Sequence, residues 1–202
     1  MAVAFDAPDR QRITEALVVA GAELFTTQGL RKTSLAELAA AAGIATSSFY
    51  AFFPAKEALY LELLLRRAPA HADRLAEAVA QRPVRAALVA VMRTTVDLLD
   101  GDPLYRRLLT HPEELAAVAR RMGAEELRRV EPVLLGPLLE FVEGAQRAGE
   151  LVAAPPMAVV GVLRMVGLVV LHRADHGAQY PHVLELTIQS LATGLVTTGS
   201  RP

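Results

Sequence analysis

The chain of 202 residues is 52% hydrophobic, contains ten aromatic residues and carries a formal net charge of −1. It has no cysteine, which excludes disulfides, thiolate catalysis and cysteine-ligated metals. A near-neutral chain meets an anionic partner only through a local basic patch. Its first ten residues, MAVAFDAPDR, lack the basic-then-apolar pattern of a signal peptide, so a cytoplasmic location is expected.

Ala, Leu and Val dominate the composition, and such residues lose little freedom on becoming helical. Ile13, Leu17, Ala20, Leu24 and Phe25 recur at helical spacing, and Gly29 stops the pattern as a helix C-cap would. Ser34 with Glu37 three residues later reads as a capping box, opening a second helix that Gly43 closes after two turns. A third, very short helix covers 46–52 and ends before Pro54. A fourth starts near Lys56, with Leu59, Leu63 and Leu64 on one side.

The segment 67–73, RAPAHAD, reads as the boundary of a small N-terminal unit. Helices are then expected over 83–100, over 103–110, and over a long stretch from Pro112 kinked near Pro132 and Pro137. GELVAAPP reads as a linker, followed by an apolar helix over 157–172 and a last helix from Pro181. The apolar run is short for a membrane span and holds Arg164, so it reads as a buried helix, with Glu185 or an anion as a partner for that arginine. No run alternates with the period of a strand, and the expected fold is all-α.

Two short helices joined at Gly43 make a helix-turn-helix, the glycine allowing the left-handed corner. Four of the ten aromatic residues lie between Phe49 and Phe53. Phe49 and Phe53 would pin the short second helix to its neighbours. Thr46, Ser47 and Tyr50 would then face outward, with hydroxyls that bond to base edges or phosphate. Lys56, in the first turn of the next helix, is placed to hold a phosphate.

The run TSLAELAAAAGIATSSFYAFFPAKEALY resembles the DNA-binding signature of the TetR (tetracycline-repressor-like) family of transcriptional regulators. The matching elements are Phe25, Gly29, Thr33-Ser34, Leu38-Ala39, Ala42-Gly43-Ile44, Phe49-Tyr50, Phe53 and Lys56-Glu57. The resemblance implies a three-helix N-terminal DNA-binding domain and a larger helical domain that binds a small ligand and forms a homodimer through its last two helices. Mapped here, these are residues 9–55 and 56–198, with the helix 56–67 linking them. The pattern differs from the family's at Ala36, Ala45, Thr46 and Ala51.

Candidate DNA contacts are therefore Arg31, Lys32, Thr33, Ser34, Thr46, Ser47, Ser48, Tyr50 and Lys56. Residues 1–67 hold seven acidic and seven basic side chains, so the basic ones must be sorted by position. Arg31, Lys32, Lys56 and one N-terminal arginine in each subunit of a dimer would neutralise about eight phosphates, giving a log–log salt slope of about −7.

An effector pocket is expected among the middle helices. Met92, Thr95, Leu99, Tyr105 and Leu108 are candidates to line it, with Met122, Leu138, Phe141 and Met165. A dimer interface is expected at Gly161, Gly167, Leu168, Leu184, Ile188, Leu191 and Leu195, where small residues allow close helix approach. His172, His176 and His182 lie in a loop and read as solvated residues; no metal or cofactor is expected. No catalytic motif is present, and the adjacent pairs Glu113-Glu114 and Glu125-Glu126 read as solvated faces. The expected partners are a double-stranded DNA operator, a small and largely apolar effector, and a second copy of the chain. The alternatives are a helical small-molecule binder without specific DNA binding, and an all-α enzyme.

Overall fold

The computed structural model describes residues 6–123 and 131–197. The helices are α1 (Ala7–Thr27), α2 (Leu35–Ala41), α3 (Lys56–Val79), α4 (Val84–Gly101), α5 (Pro103–Thr110) and α6 (Pro112–Met122), then α7 (Glu131–Arg147), α8 (Pro156–Arg164), α9 (Val166–Leu171), α10 (Arg173–His176) and α11 (Tyr180–Leu195). A 3₁₀ segment, Thr46–Ala51, lies between α2 and α3. The fold is all-α. The only extended pairing among the described residues is an isolated antiparallel bridge from Leu151, in the segment read as a linker, to Val196, just past the last helix.

Two compact units result. One gathers the residues up to Ala68 with those from Pro103 through α6; the other gathers Pro69–Asp102 with those from Glu131 onward. The break between Ala68 and Pro69 falls within the segment read as a boundary, but the chain stays helical through it, as α3 runs on to Val79. Pro69 removes one intrahelical hydrogen bond without ending the helix. This division also differs from a boundary at Lys56. α5 and α6 cluster with the helix-turn-helix, and α1 packs against both α2 and α5.

The first unit is built on Ile13, Leu17, Phe25, Leu38, Phe49, Leu59 and Tyr60, all nearly or fully buried. Phe25 meets Tyr60 edge-on, ring centroids 5.4 Å apart. Gly21 lets α1 approach α3: a Cβ there would sit 3.0 Å from the Leu59 side chain. The second unit has one apolar core, with Leu88, Met92 and Val142 fully buried and Val159, Leu163, Ile188 and Ala192 beside them. α4 packs against α8, α9 and α11 there.

The apolar helix expected over 157–172 is broken. Met165 donates its N–H to Val162 and Leu168 donates to Met165, i→i−3 bonds that tighten the backbone and separate α8 from α9. Residues 124–130, with Glu125 and Glu126, lie outside the described residues, as does the side chain of Pro132, where a kink is expected.

Candidate nucleic-acid interface

α2 starts as its sequence dictates. Ser34 Oγ accepts from the Glu37 N–H at 3.2 Å, and the Glu37 carboxylate accepts the Ser34 N–H at 2.8 Å. The backbone bond from Ser34, then its hydroxyl, hold the Glu37 carboxyl below its ordinary value. The helix ends in a Schellman-type turn: Ile44 donates to the Ala39 carbonyl, Gly43 to Ala40, and Gly43 has φ +69°. Every other residue type is strained at that angle, which is why a glycine makes the corner.

The segment that follows is a 3₁₀ helix. Ala45 caps it with no side-chain bond, and Ser48 donates its N–H back to the Ala45 carbonyl at 2.9 Å. A 3₁₀ helix turns every three residues, so side chains at i and i+3 eclipse. Ser47 and Tyr50 form one such column and both are exposed, Tyr50 at 59%. Thr46 is also exposed and Ser48 is half-buried. Phe49 is fully buried, its ring 6.1 Å from Phe53, which is also buried. Burial of Phe49 contributes about 2–3 kcal/mol to holding a segment with poor hydrogen-bond geometry of its own.

The turn between α1 and α2 is the second part of the surface. Arg31 and Lys32 are exposed on it. Thr33 is buried, and its hydroxyl donates to the Gly29 carbonyl at 2.8 Å, so that group holds the turn rather than facing outward. Ser34 is exposed, with its hydroxyl engaged by Glu37. Lys56 is half-buried and its Nζ donates to the Thr33 carbonyl at 2.7 Å and the Arg31 carbonyl at 3.2 Å. The lysine therefore ties the start of α3 to the turn that carries Arg31 and Lys32. Of the nine residues expected to contact DNA, Arg31, Lys32, Thr46, Ser47 and Tyr50 present exposed side chains, Ser48 is half-buried, and Thr33, Ser34 and Lys56 are bound into the turn.

Two residues outside the expected nine support this surface, and one of them, Glu114, is buried, which corrects its reading as part of a solvated face. Arg10, in the first turn of α1, donates its Nη2 to the Ala51 carbonyl at 2.9 Å. Glu114, on α6, is buried, and its Oε1 accepts the Leu30 N–H at 2.9 Å. Arg107 closes on the same carboxylate at 2.7, 2.9 and 3.1 Å, and the Tyr60 hydroxyl lies 3.4 Å from it. Gly29 has φ +88°, and a Cβ there would lie 1.9 Å from Arg107 Nη2, so glycine is needed twice over. Neither partnership has a local sequence signal, since Arg10 and Ala51 are 41 residues apart and Leu30 and Glu114 are 84 apart.

Residues 17–63 match the sequence model of the bacterial regulatory proteins, tetR family. The match lies over α1, α2, the 3₁₀ segment and the start of α3, the helix-turn-helix part of the chain. The chain's fold is also that of solved structures along nearly its whole length. A tetR family transcription regulator from Shewanella sp. PV-4 superposes with TM-score 0.70 at 20% identity, covering 92% of this chain and 98% of that one. NalD of Pseudomonas aeruginosa, the secondary repressor of the MexAB-OprM multidrug efflux pump, gives TM-score 0.65 at 20% identity over 95% and 100% of the two chains. Reduced NemR of E. coli gives 0.65 at 22% identity over 93% and 100%. No curated protein matches the sequence. Among the described residues, no single helix is long and apolar enough to cross a membrane.

The residues expected around an effector fall in both units. In the second, Met92 and Leu99 are fully buried and Leu138 nearly so, while Phe141 packs against the core. Thr95 is buried with its hydroxyl donated to the Val91 carbonyl at 3.0 Å. Met165 instead is 50% exposed. Tyr105, Leu108 and Met122 belong to the first unit and are half-buried. The second unit has an open groove of about 490 Å³ along α4 and α11, lined in part by Arg85, Arg93, Asp97 and Gln189 and by none of the expected nine.

The residues expected at a dimer interface also divide. Ile188 and Leu195 are core residues, and Gly167 is buried with its Cβ direction 3.3 Å from Leu99 Cδ1, so its smallness serves packing within the chain. Leu184 and Leu191 are half-buried against the same core. Gly161 and Leu168 are exposed. With Met157 and Met165 they form an exposed column spaced by four, four and three residues, and Leu186 on α11 is 68% exposed. Glu185 pairs with Arg93 at 3.2 Å, which corrects the expectation that it partners Arg164. His172 pairs with Asp175 at the surface, and among the described residues no three metal-ligating side chains converge.

Proposed function

We propose that this chain is a TetR-family transcriptional regulator, a ligand-responsive repressor that binds a palindromic operator as a homodimer. The observation that carries the reading is the exposed Ser47–Tyr50 column, backed by buried Phe49 and flanked by Arg31 and Lys32. Serine is short enough to let the segment approach base edges, and the tyrosine hydroxyl and the two cations suit phosphates. The twofold axis of a dimer places two such columns in successive major grooves about 34–36 Å apart. NalD, which shares this fold, is a repressor, and that supports repression over activation.

The exposed strip Met157, Gly161, Met165 and Leu168, with Leu186, is the face proposed for the second copy. Gly161 has nothing within 4 Å of its Cβ direction, as a close-approach site open to a partner requires. The effector is proposed to be small and largely apolar, held near the Met- and Leu-rich middle helices. A coupling of about 1–3 kcal/mol between effector and operator would change DNA affinity about 5- to 150-fold.

A mobility-shift assay with the region upstream of the chain's own gene tests the reading. Wild type should retard that duplex in preference to a scrambled one, and Ser47→Ala should lose affinity for it. Equal affinity of wild type for both duplexes would favour a helical small-molecule binder.

A further inference from the structure

We propose that Arg10 is a positioning residue for DNA recognition: it fixes the C-terminal end of the 3₁₀ reader segment, and its charge is spent there rather than on a phosphate. The inference rests on the DNA-binding reading above and goes beyond it. The reader segment Thr46–Ala51 has six residues and no side-chain cap at its N-terminus. The last carbonyls of any short helix lack intrahelical donors. Here the Ala51 carbonyl receives one from outside, the Arg10 Nη2 at 2.9 Å. The guanidinium also lies over the Phe52 ring, 5.3 Å from its centroid. Two independent contacts, one polar and one cation–π, bring the same cation to the negative end of the segment, where the peptide dipoles favour it.

Phe49 anchors the segment in its middle, but a single buried ring leaves rotation about that anchor open. Arg10 supplies a second fixed point from α1, and two points set the direction of the Ser47–Tyr50 column. Lys56 does a related thing for the neighbouring turn. Arg12, two residues further along α1, pairs with Asp9 at 3.2 Å.

The test compares Arg10→Ala, Arg10→Lys and Phe52→Leu with wild type in two arms. Without DNA, amide hydrogen exchange at Phe52 and Phe53, whose N–H groups both reach the Phe49 carbonyl, should be faster in Arg10→Ala. Unchanged exchange would overturn the proposal whether or not the chain binds DNA. With DNA, duplexes selected by the wild type are titrated against salt beside a scrambled duplex. Arg10→Ala should weaken specific binding about 5- to 10-fold, leave scrambled binding unchanged and leave the log–log slope unchanged. Phe52→Leu should reproduce part of that loss, and the double variant should be no weaker than Arg10→Ala alone. A phosphate contact predicts the opposite: equal loss on both duplexes, a slope shallower by about 1.8 for the two subunits, and full rescue by Arg10→Lys. If wild type itself shows no sequence preference, the DNA-binding reading fails, and the exchange arm still decides what Arg10 holds.

Discussion

Arg107 and Glu114 close on each other through three N–H···O contacts of 2.7, 2.9 and 3.1 Å, seven residues apart on α5 and α6. The carboxylate is not spent on that pair alone. It also takes the Leu30 N–H, in the turn that presents Arg31 and Lys32. Glu114 therefore fixes part of the turn between α1 and α2, the one proposed to face DNA, from a helix far along the chain. Leaving one member of a buried ion pair alone is costly, so Glu114→Ala should lose about 3–5 kcal/mol of stability. Glu114→Gln keeps an acceptor for Leu30 and should lose less. Urea unfolding of the three proteins checks the order.

Tyr60 reports on the same cluster through pH. Burial first, and then the Glu114 charge, push its phenol above the ordinary value of 10.0. The folded chain thus keeps a proton that the unfolded chain gives up. Stability from this source is complete below pH about 10 and declines as pH rises beyond it. Thermal unfolding measured upward from pH 9 should show the decline in wild type and a shallower one in Tyr60→Phe.

Helix and turn signals within a few residues were legible in the sequence. Ser34–Glu37 capping, the glycine corner at Gly43 and the buried Phe49 each follow from local chemistry, and together they specify the helix-turn-helix. Partnerships between distant residues were not legible. Nothing near Arg10 points to Ala51, and nothing near Glu114 distinguishes a buried clasp from the solvated acidic pair that Glu113-Glu114 resembles. Small residues misled in the same way. Gly167 reads as a site of close helix approach, which is right, but the neighbour it approaches is Leu99 of its own chain. Composition gives the need for closeness and not the identity of the partner.

The salt dependence of DNA binding follows from where the cations are engaged. Eight phosphates in a dimer would give a slope of about −7. Lys56 is bound to two carbonyls and Arg10 to a third. Arg31 and Lys32 remain, four cations in a dimer, for a slope of about −3.6. Lys56→Met should lower affinity by loosening the turn with little change in that slope. Fluorescence titrations between 50 and 200 mM salt, about the range where such slopes are resolved, separate the two values.

The exposed apolar strip gives a prediction about assembly. Leu168 is 49% exposed and sits on the proposed face, so Leu168→Glu should convert dimer to monomer with little loss of fold. Gly167→Ala should act on the fold instead, through Leu99. Sedimentation velocity with circular dichroism distinguishes these outcomes.

The most direct measurement is selection of bound duplexes from a random pool of DNA by the wild-type chain, followed by sequencing. The account predicts enrichment of a pseudo-palindrome whose half-site centres lie about 10–10.5 base pairs, or a multiple of that, apart, and loss of that enrichment in the paired variant Ser47→Ala/Tyr50→Phe. A pool that stays random with wild type, or a palindrome enriched equally by the paired variant, would contradict it.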